Sequence, residues 1–145
     1  MLWFLLLPSL AVTLTLINSL TMRVVRESNE VINSSLTILI PMRNEAENVE
    51  SILSSVQSQG GLTNVSIRVL NDHSTDSTLE KLQTYDGIDI VQGTELPAGW
   101  LGKNWACHQL SQKSHSEYLV FLDADVQLAP AAVASAIALM QREEL

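Results

Sequence analysis

The sequence predicts an α/β fold built on a parallel, doubly wound sheet. Short, mainly apolar runs recur at 36–40, 65–70, 88–91 and 118–122, the first of them rich in β-branched residues, and stretches with apolar residues at helical spacing lie between them. Strands alternating with helices imply a parallel sheet joined by right-handed crossovers. A third observation sets a different segment in front of that sheet. Residues 1–22 carry no charged side chain, and all 8 basic and 16 acidic residues follow them.

As a helix, those first residues would extend about 33 Å, close to the hydrocarbon thickness of a bilayer. Pro8, Ser9 and Asn18 are tolerable in such a span. Arg23 and Arg26 follow directly and favour a cytoplasmic C-terminal side. A cleaved signal peptide would want a basic start and a small-residue cleavage site, and neither is present. The expected organisation is a transmembrane anchor at 1–22, a polar linker at 23–34 and a domain at 35–145. The protein is thus expected to cross the membrane once, with its domain in the cytoplasm.

The run at 36–40 (LTILI) suits a strand buried on both faces. Asn44 and Glu47 make a capping-box pattern for a helix whose stripe is Val49, Ile52, Leu53 and Val56, ended by Gly60 and Gly61. A strand at 65–70 is interrupted in its apolar character by Arg68. Ser74 to Ser77 offer cap signals for a short helix through Leu79 and Leu82, and 88–91 is a third strand. Residues 104–114 can form a helix, and 118–122 (YLVFL) is a fourth strand. Pro130 suits the first turn of a last helix through Val133, Ile137 and Met140.

Net charge is −8, and no basic cluster is visible, which argues against a nucleic-acid partner. The single cysteine, Cys107, cannot form an internal disulfide and fits a small buried residue. His73, His108 and His115 lack metal-ligand spacing with Cys107 or each other. Neither a G-x-G-x-x-G nor a P-loop is present.

In open parallel sheets, ligands sit beyond the carboxyl ends of the strands. That directs attention to 41–45, 71–74 and 123–125. Asp123 and Asp125, one residue apart, repel each other in a low-dielectric crevice unless a cation neutralises them. Mg²⁺ or Mn²⁺ would do so, being held by one or two carboxylates plus substrate phosphates. The same tripeptide also fits a turn that caps the next helix. Asp72 could accept hydrogen bonds from a base or ribose, whereas capping accounts for Ser74, Thr75 and Asp76. Lys103, beside Gly102 at a helix start, could meet phosphate oxygens or simply stand in solvent. Trp100 and Trp105 are expected to pack rather than to serve as sugar platforms.

Four stretches in this order resemble the beginning of a family-2 glycosyltransferase with the Rossmann-like GT-A fold. They are 40–45 (IPMRNE), 69–78 (VLNDHSTDST), 102–106 (GKNWA) and 121–125 (FLDAD). The resemblance implies that Pro41, Arg43 and Glu45 lie along a nucleotide-diphosphate sugar donor and that Asp72 contacts its base. It implies Lys103 near the nucleotide or its phosphates. Asp123 and Asp125 become the D-x-D that holds the diphosphate through a divalent metal. The family usually has two aspartates where this chain has Asn71 and Asp72, and the second is expected to matter. The stretch 96–106 (LPAGWLGKNWA) is similar to a branch associated with hopanoid and carotenoid glycosyl transfer, which with an anchor suits a lipid acceptor.

Members of that family carry an acidic catalytic base well after the D-x-D, and this chain ends about twenty residues past Asp125. It is therefore expected to be a truncated portion that binds donor and metal without completing transfer. Two other readings compete. A nucleotidyltransferase would want a glycine-rich basic loop after the first strand, which residues 42–45 do not form. A non-catalytic membrane-tethered binding module would show no metal-dependent nucleotide binding.

Overall fold

The computed structural model describes residues 3–143, with side chains from residue 7 onward. Its elements run α1 (Trp3–Thr21), β1 (Leu36–Met42), α2 (Val49–Gln57), β2 (Val65–Asn71), α3 (Thr78–Leu82), β3 (Ile88–Gln92), α4 (Gly102–Gln112), β4 (Tyr118–Phe121) and α5 (Ala132–Arg142). The four strands form one sheet in the order β3-β2-β1-β4. Every pairing is parallel.

β1 is central, and its first five residues are all buried because helices cover both faces of it. On one face Ile38, Ile40 and Met42 meet Val49, Ile52, Leu53 and Val56 of α2, Leu82 of α3, and Val133, Ala134 and Ile137 of α5. On the other face Leu39, Leu70 and Val91 seat Ala106 and Leu110 of α4. Arg68, the odd residue of β2, lies opposite Asp89 of β3 and pairs with it at 2.6 Å. It also donates to the carbonyl of Lys113, where α4 ends and a cation is favoured.

The expected doubly wound parallel sheet is present, with several local corrections. Asn44 does not cap a helix. It adopts φ 56, and its side chain bonds Thr75 instead, so α2 begins only at Val49. Pro130 precedes α5 rather than entering its first turn; its carbonyl accepts from Gly60 N at 2.7 Å. Leu122 falls outside β4, although its N–H still reaches the Leu39 carbonyl at 3.0 Å. α4 starts two residues earlier than expected, at Gly102.

The segment expected to span a membrane forms α1, but among the described residues no helix is long and apolar enough to cross one. Residues 1–2 and the side chains of 3–6, which that expectation included, lie outside the described residues.

Candidate functional site

Leaving β1, the chain steps outward to β2 and β3, then returns past β1 to β4 on the other side. Neighbouring crossovers therefore diverge between β1 and β4, and the crevice at their carboxyl ends is the natural ligand position. Pro41 helps open it. The Leu39 carbonyl accepts from Leu122 on the β4 side and the Met42 carbonyl from Asp72 on the β2 side. By alternation, the missing N–H of Pro41 faces β4, beyond that strand's end at Phe121, where no ladder partner is needed.

All seven residues expected to hold the donor or the metal line one cavity of about 390 Å³ there: Pro41, Arg43, Glu45, Asp72, Lys103, Asp123 and Asp125. Met42, Gly102, Ala106 and Ala124 complete the wall. These four were missed because apolar residues and glycine show no chemical signature; only their place beside the polar ones could have marked them.

One corner is a knot between the loops after β1 and β2. Asn44 Oδ1 accepts from Thr75 N at 2.8 Å, Ser74 Oγ accepts from Asn44 N at 3.0 Å, and Thr78 Oγ1 accepts from Glu45 N at 2.9 Å. Asn44 and His73 both take left-handed backbone conformations, at φ 56 and 53, which the knot holds in place. Asp76 accepts from the Thr78 hydroxyl at 2.5 Å and from the N–H groups of Thr78 and Ala46. The Thr78 hydroxyl is the main cause holding the Asp76 carboxyl below its ordinary pKa.

A lowered folded-state pKa means that this stabilisation is complete above the ordinary carboxylate value and is lost as pH falls through the lowered one. Amide exchange should therefore show the Ala46 and Thr78 N–H groups losing protection below about pH 4. Asp76→Asn should remove that pH dependence; an unchanged acid profile in the variant would contradict the assignment.

Asp72 lies at the end of β2 with its side chain 16% exposed, 3.2 Å from His73 Nδ1 and 3.8 Å from an Arg43 guanidinium nitrogen. Asn71, in the position where an aspartate was the expected residue, is buried and turned away from the cavity toward β3. Its amide donates to Gln92 Oε1 at 3.0 Å, which a carboxylate could not do.

Lys103, in the first turn of α4, reaches Asp123 Oδ1 at 2.6 Å. That hydrogen bond is the main cause raising the ammonium's pKa. Ala124 is buried in the larger core while Asp123 and Asp125 on either side are exposed, so the anchored alanine presents both carboxylates at the rim. No group of three or more His, Cys, Asp or Glu able to hold a metal occurs among the described residues. Two carboxylates beside open space fit a Mg²⁺-like or Mn²⁺-like ion whose remaining ligands come from substrate phosphates, not a closed protein cage. Burial pushes the Cys107 thiol up.

Trp100, Trp105 and His108 stack together, the two indoles edge-on at 5.1 Å and Trp105 against His108 at 5.4 Å. Trp105 Nε1 also donates to Thr94. Packing is thus part of its role, but Trp105 additionally walls a second cavity of about 240 Å³ that shares Arg43, Asp72 and Gly102 with the first.

The family model described as Glycosyl transferase family 2 matches residues 37–145. A 4,4'-diaponeurosporenoate glycosyltransferase of Staphylococcus aureus is 35% identical over 96 residues, 65% of this chain and 24% of the relative. The chain thus spans about a quarter of the length of the curated relatives it matches. Among solved structures, S. aureus TarS 1–349 in complex with UDP superposes with a TM-score of 0.63 at 21% identity, covering 76% of this chain and 33% of that one. The mannosyltransferase PcManGT of Pyrobaculum calidifontis, in complex with GDP-Man and Mn²⁺, gives 0.63 at 21% identity over 75% and 33%. At such identities the two structures share the fold with this chain.

Proposed function

This chain belongs to glycosyl transferase family 2, and from that premise we propose that its cavity binds a nucleoside-diphosphate sugar for transfer to an acceptor. One observation carries the proposal. Asp72, Lys103, Asp123 and Asp125 come from two separate loops and one helix start, yet they line a single crevice at the strand ends. Asp72 and Pro41 would lie along the nucleoside, and the two carboxylates at the rim would hold the diphosphate through Mg²⁺ or Mn²⁺. When bound, that ion supplies Lewis-acid stabilisation of the departing diphosphate. Fold neighbours solved in complex with UDP, with UDP-GlcNAc and with GDP-Man and Mn²⁺ support this choice of ligand.

Inverting transfer needs a base to take the proton from the acceptor hydroxyl as its oxygen attacks the anomeric carbon and the bond to the diphosphate breaks. We assign the cavity's carboxylates to binding instead. Glu45 accepts from Asn48 at 2.7 Å, Asp72 is held by Arg43 and His73, and Asp123 and Asp125 serve the ion. The 145-residue chain alone should bind donor without turning it over, and steady sugar release by the purified chain would overturn this part.

Calorimetry with UDP and GDP sugars, with and without Mn²⁺, tests the central proposal. Binding should require the ion, and Asp123→Ala or Asp125→Ala should weaken it by at least about tenfold. Binding that ignores both the ion and these substitutions would refute the site; no binding at all would favour a non-catalytic module.

The lipid acceptor and the membrane location belong to the same proposal. The 4,4'-diaponeurosporenoate for which the relative is named, and the exposed Leu7, Leu10, Leu14, Ile17 and Leu20 of α1, support them. Attachment through α1, with Arg23 and Arg26 on the cytoplasmic side, predicts that the chain floats with lipid vesicles. Leu10→Lys together with Leu14→Lys should release it into the soluble fraction; vesicle binding indifferent to that pair would argue against attachment by α1.

A further inference from the structure

Asp123 is asked to do two things at once. As half of the D-x-D it must face a divalent ion, yet its Oδ1 already accepts the Lys103 ammonium at 2.6 Å. Both groups are more than half exposed, at 62% and 54% of their side chains, so neither is locked by burial. Lys103 stands on the first turn of α4 on a flexible four-carbon stem with three rotatable donors. Its backbone is fixed through Ala106 and Leu110, while its head is free to swing within the cavity.

We propose that Lys103 is an exchangeable counter-ion: its ammonium occupies the Asp123 carboxylate until a divalent cation takes that oxygen, and it then moves to the donor's diphosphate. This rests on the donor-binding reading above and adds an order to it. Two cations compete for one carboxylate oxygen, and adjacent like charges repel. The ion's arrival therefore expels the ammonium toward the diphosphate, the anion that arrives with it, from a starting point in the wall of the same cavity. No bond is made or broken covalently; one ion pair is exchanged for another. The lysine thereby opposes the bare metal and favours the metal only when it comes with a diphosphate.

The consequence is a pair of effects with opposite signs at one residue. In Lys103→Met, Mn²⁺ alone, measured by the EPR signal of free Mn²⁺, should bind about three- to fivefold more tightly, the scale of an exposed ion pair. UDP or GDP in the presence of Mn²⁺, measured by calorimetry on the same variant, should bind more weakly by at least as much. Asp123→Asn supplies a second arm. It frees the ammonium, so metal-free UDP or GDP should bind more tightly than to the wild type. That gain should vanish in the Asp123→Asn, Lys103→Met double variant. A gain that persists there comes merely from removing an anion and overturns the exchange.

Unchanged or weaker Mn²⁺ binding in Lys103→Met, with normal Mn²⁺-dependent nucleotide binding in the wild type, overturns the exchange and leaves the donor site standing. Failure of the wild type to bind nucleotide with Mn²⁺ overturns both.

Discussion

Leu39→Ala should cost about 2–5 kcal/mol of folding stability, the range for truncating a fully buried leucine. Leu39 is completely buried at the middle of β1, and its side chain belongs to the smaller of the two cores, with Leu70, Val91, Ala106 and Leu110. With so few partners, the surroundings have little with which to refill the space, and a cavity term adds to the lost transfer energy. Against a typical total of about 5–15 kcal/mol, the loss is a large share. Urea denaturation should show a lower midpoint at an unchanged slope, since the surface exposed on unfolding hardly alters. This core is also what fastens α4 to the sheet, and α4 begins with Gly102 and Lys103 of the cavity wall. Nucleotide binding should therefore weaken even where the variant remains folded. A stability loss below about 1 kcal/mol would mean that α4 is held by something other than this cluster.

The same division between backbone pattern and side-chain geometry governs what could be read in advance. The central strand was legible because its composition follows from burial on both faces: 36–40 is apolar but for Thr37, while 118–122, almost as apolar, announced a strand although its side chains are half exposed at the sheet edge. The site's location followed from topology, because a parallel sheet puts its ligand at the strand ends whatever the ligand is. Asn44 misled because a local capping pattern is a weak preference, and tertiary partners outbid it. Ser74 and Thr75, about thirty residues away, offered its amide and side chain better hydrogen bonds in a left-handed conformation. Arg68 looked like a flaw in β2 because its partners, Asp89 and the end of α4, are distant in sequence. The Lys103 and Asp123 contact was invisible for the same reason. Each residue could be singled out alone, but only the fold brings the end of β4 beside the start of α4.

Gly93→Val should be the substitution most damaging to the cavity without touching its lining. Gly93 follows β3, and its N–H bonds the Asn71 carbonyl at 2.9 Å. A Cβ there would stand 3.1 Å from Asp72 Oδ1, 3.3 Å from the Asn71 carbonyl oxygen and 3.3 Å from Asp72 Cα. Two of those three neighbours are backbone and cannot rotate away, so the strain falls on the position of Asp72. The glycine is there for close approach and not for an unusual dihedral, which is why a β-branched residue with two further methyl groups is the sharper probe. Overpacking of this kind costs about 1–3 kcal/mol. Because Asp72 is displaced, affinity for UDP or GDP with Mn²⁺ should also fall by at least about tenfold, or 1.4 kcal/mol at room temperature. Gly102→Ala is the matched comparison. Nothing lies within 4 Å of a Cβ at that position, and alanine suits a helix better than glycine, so its stability should hold or rise slightly. If Gly93→Val bound nucleotide as the wild type does, Asp72 would have to be either movable without consequence or no part of the nucleoside's site, and the second outcome would remove the base contact from the proposed function.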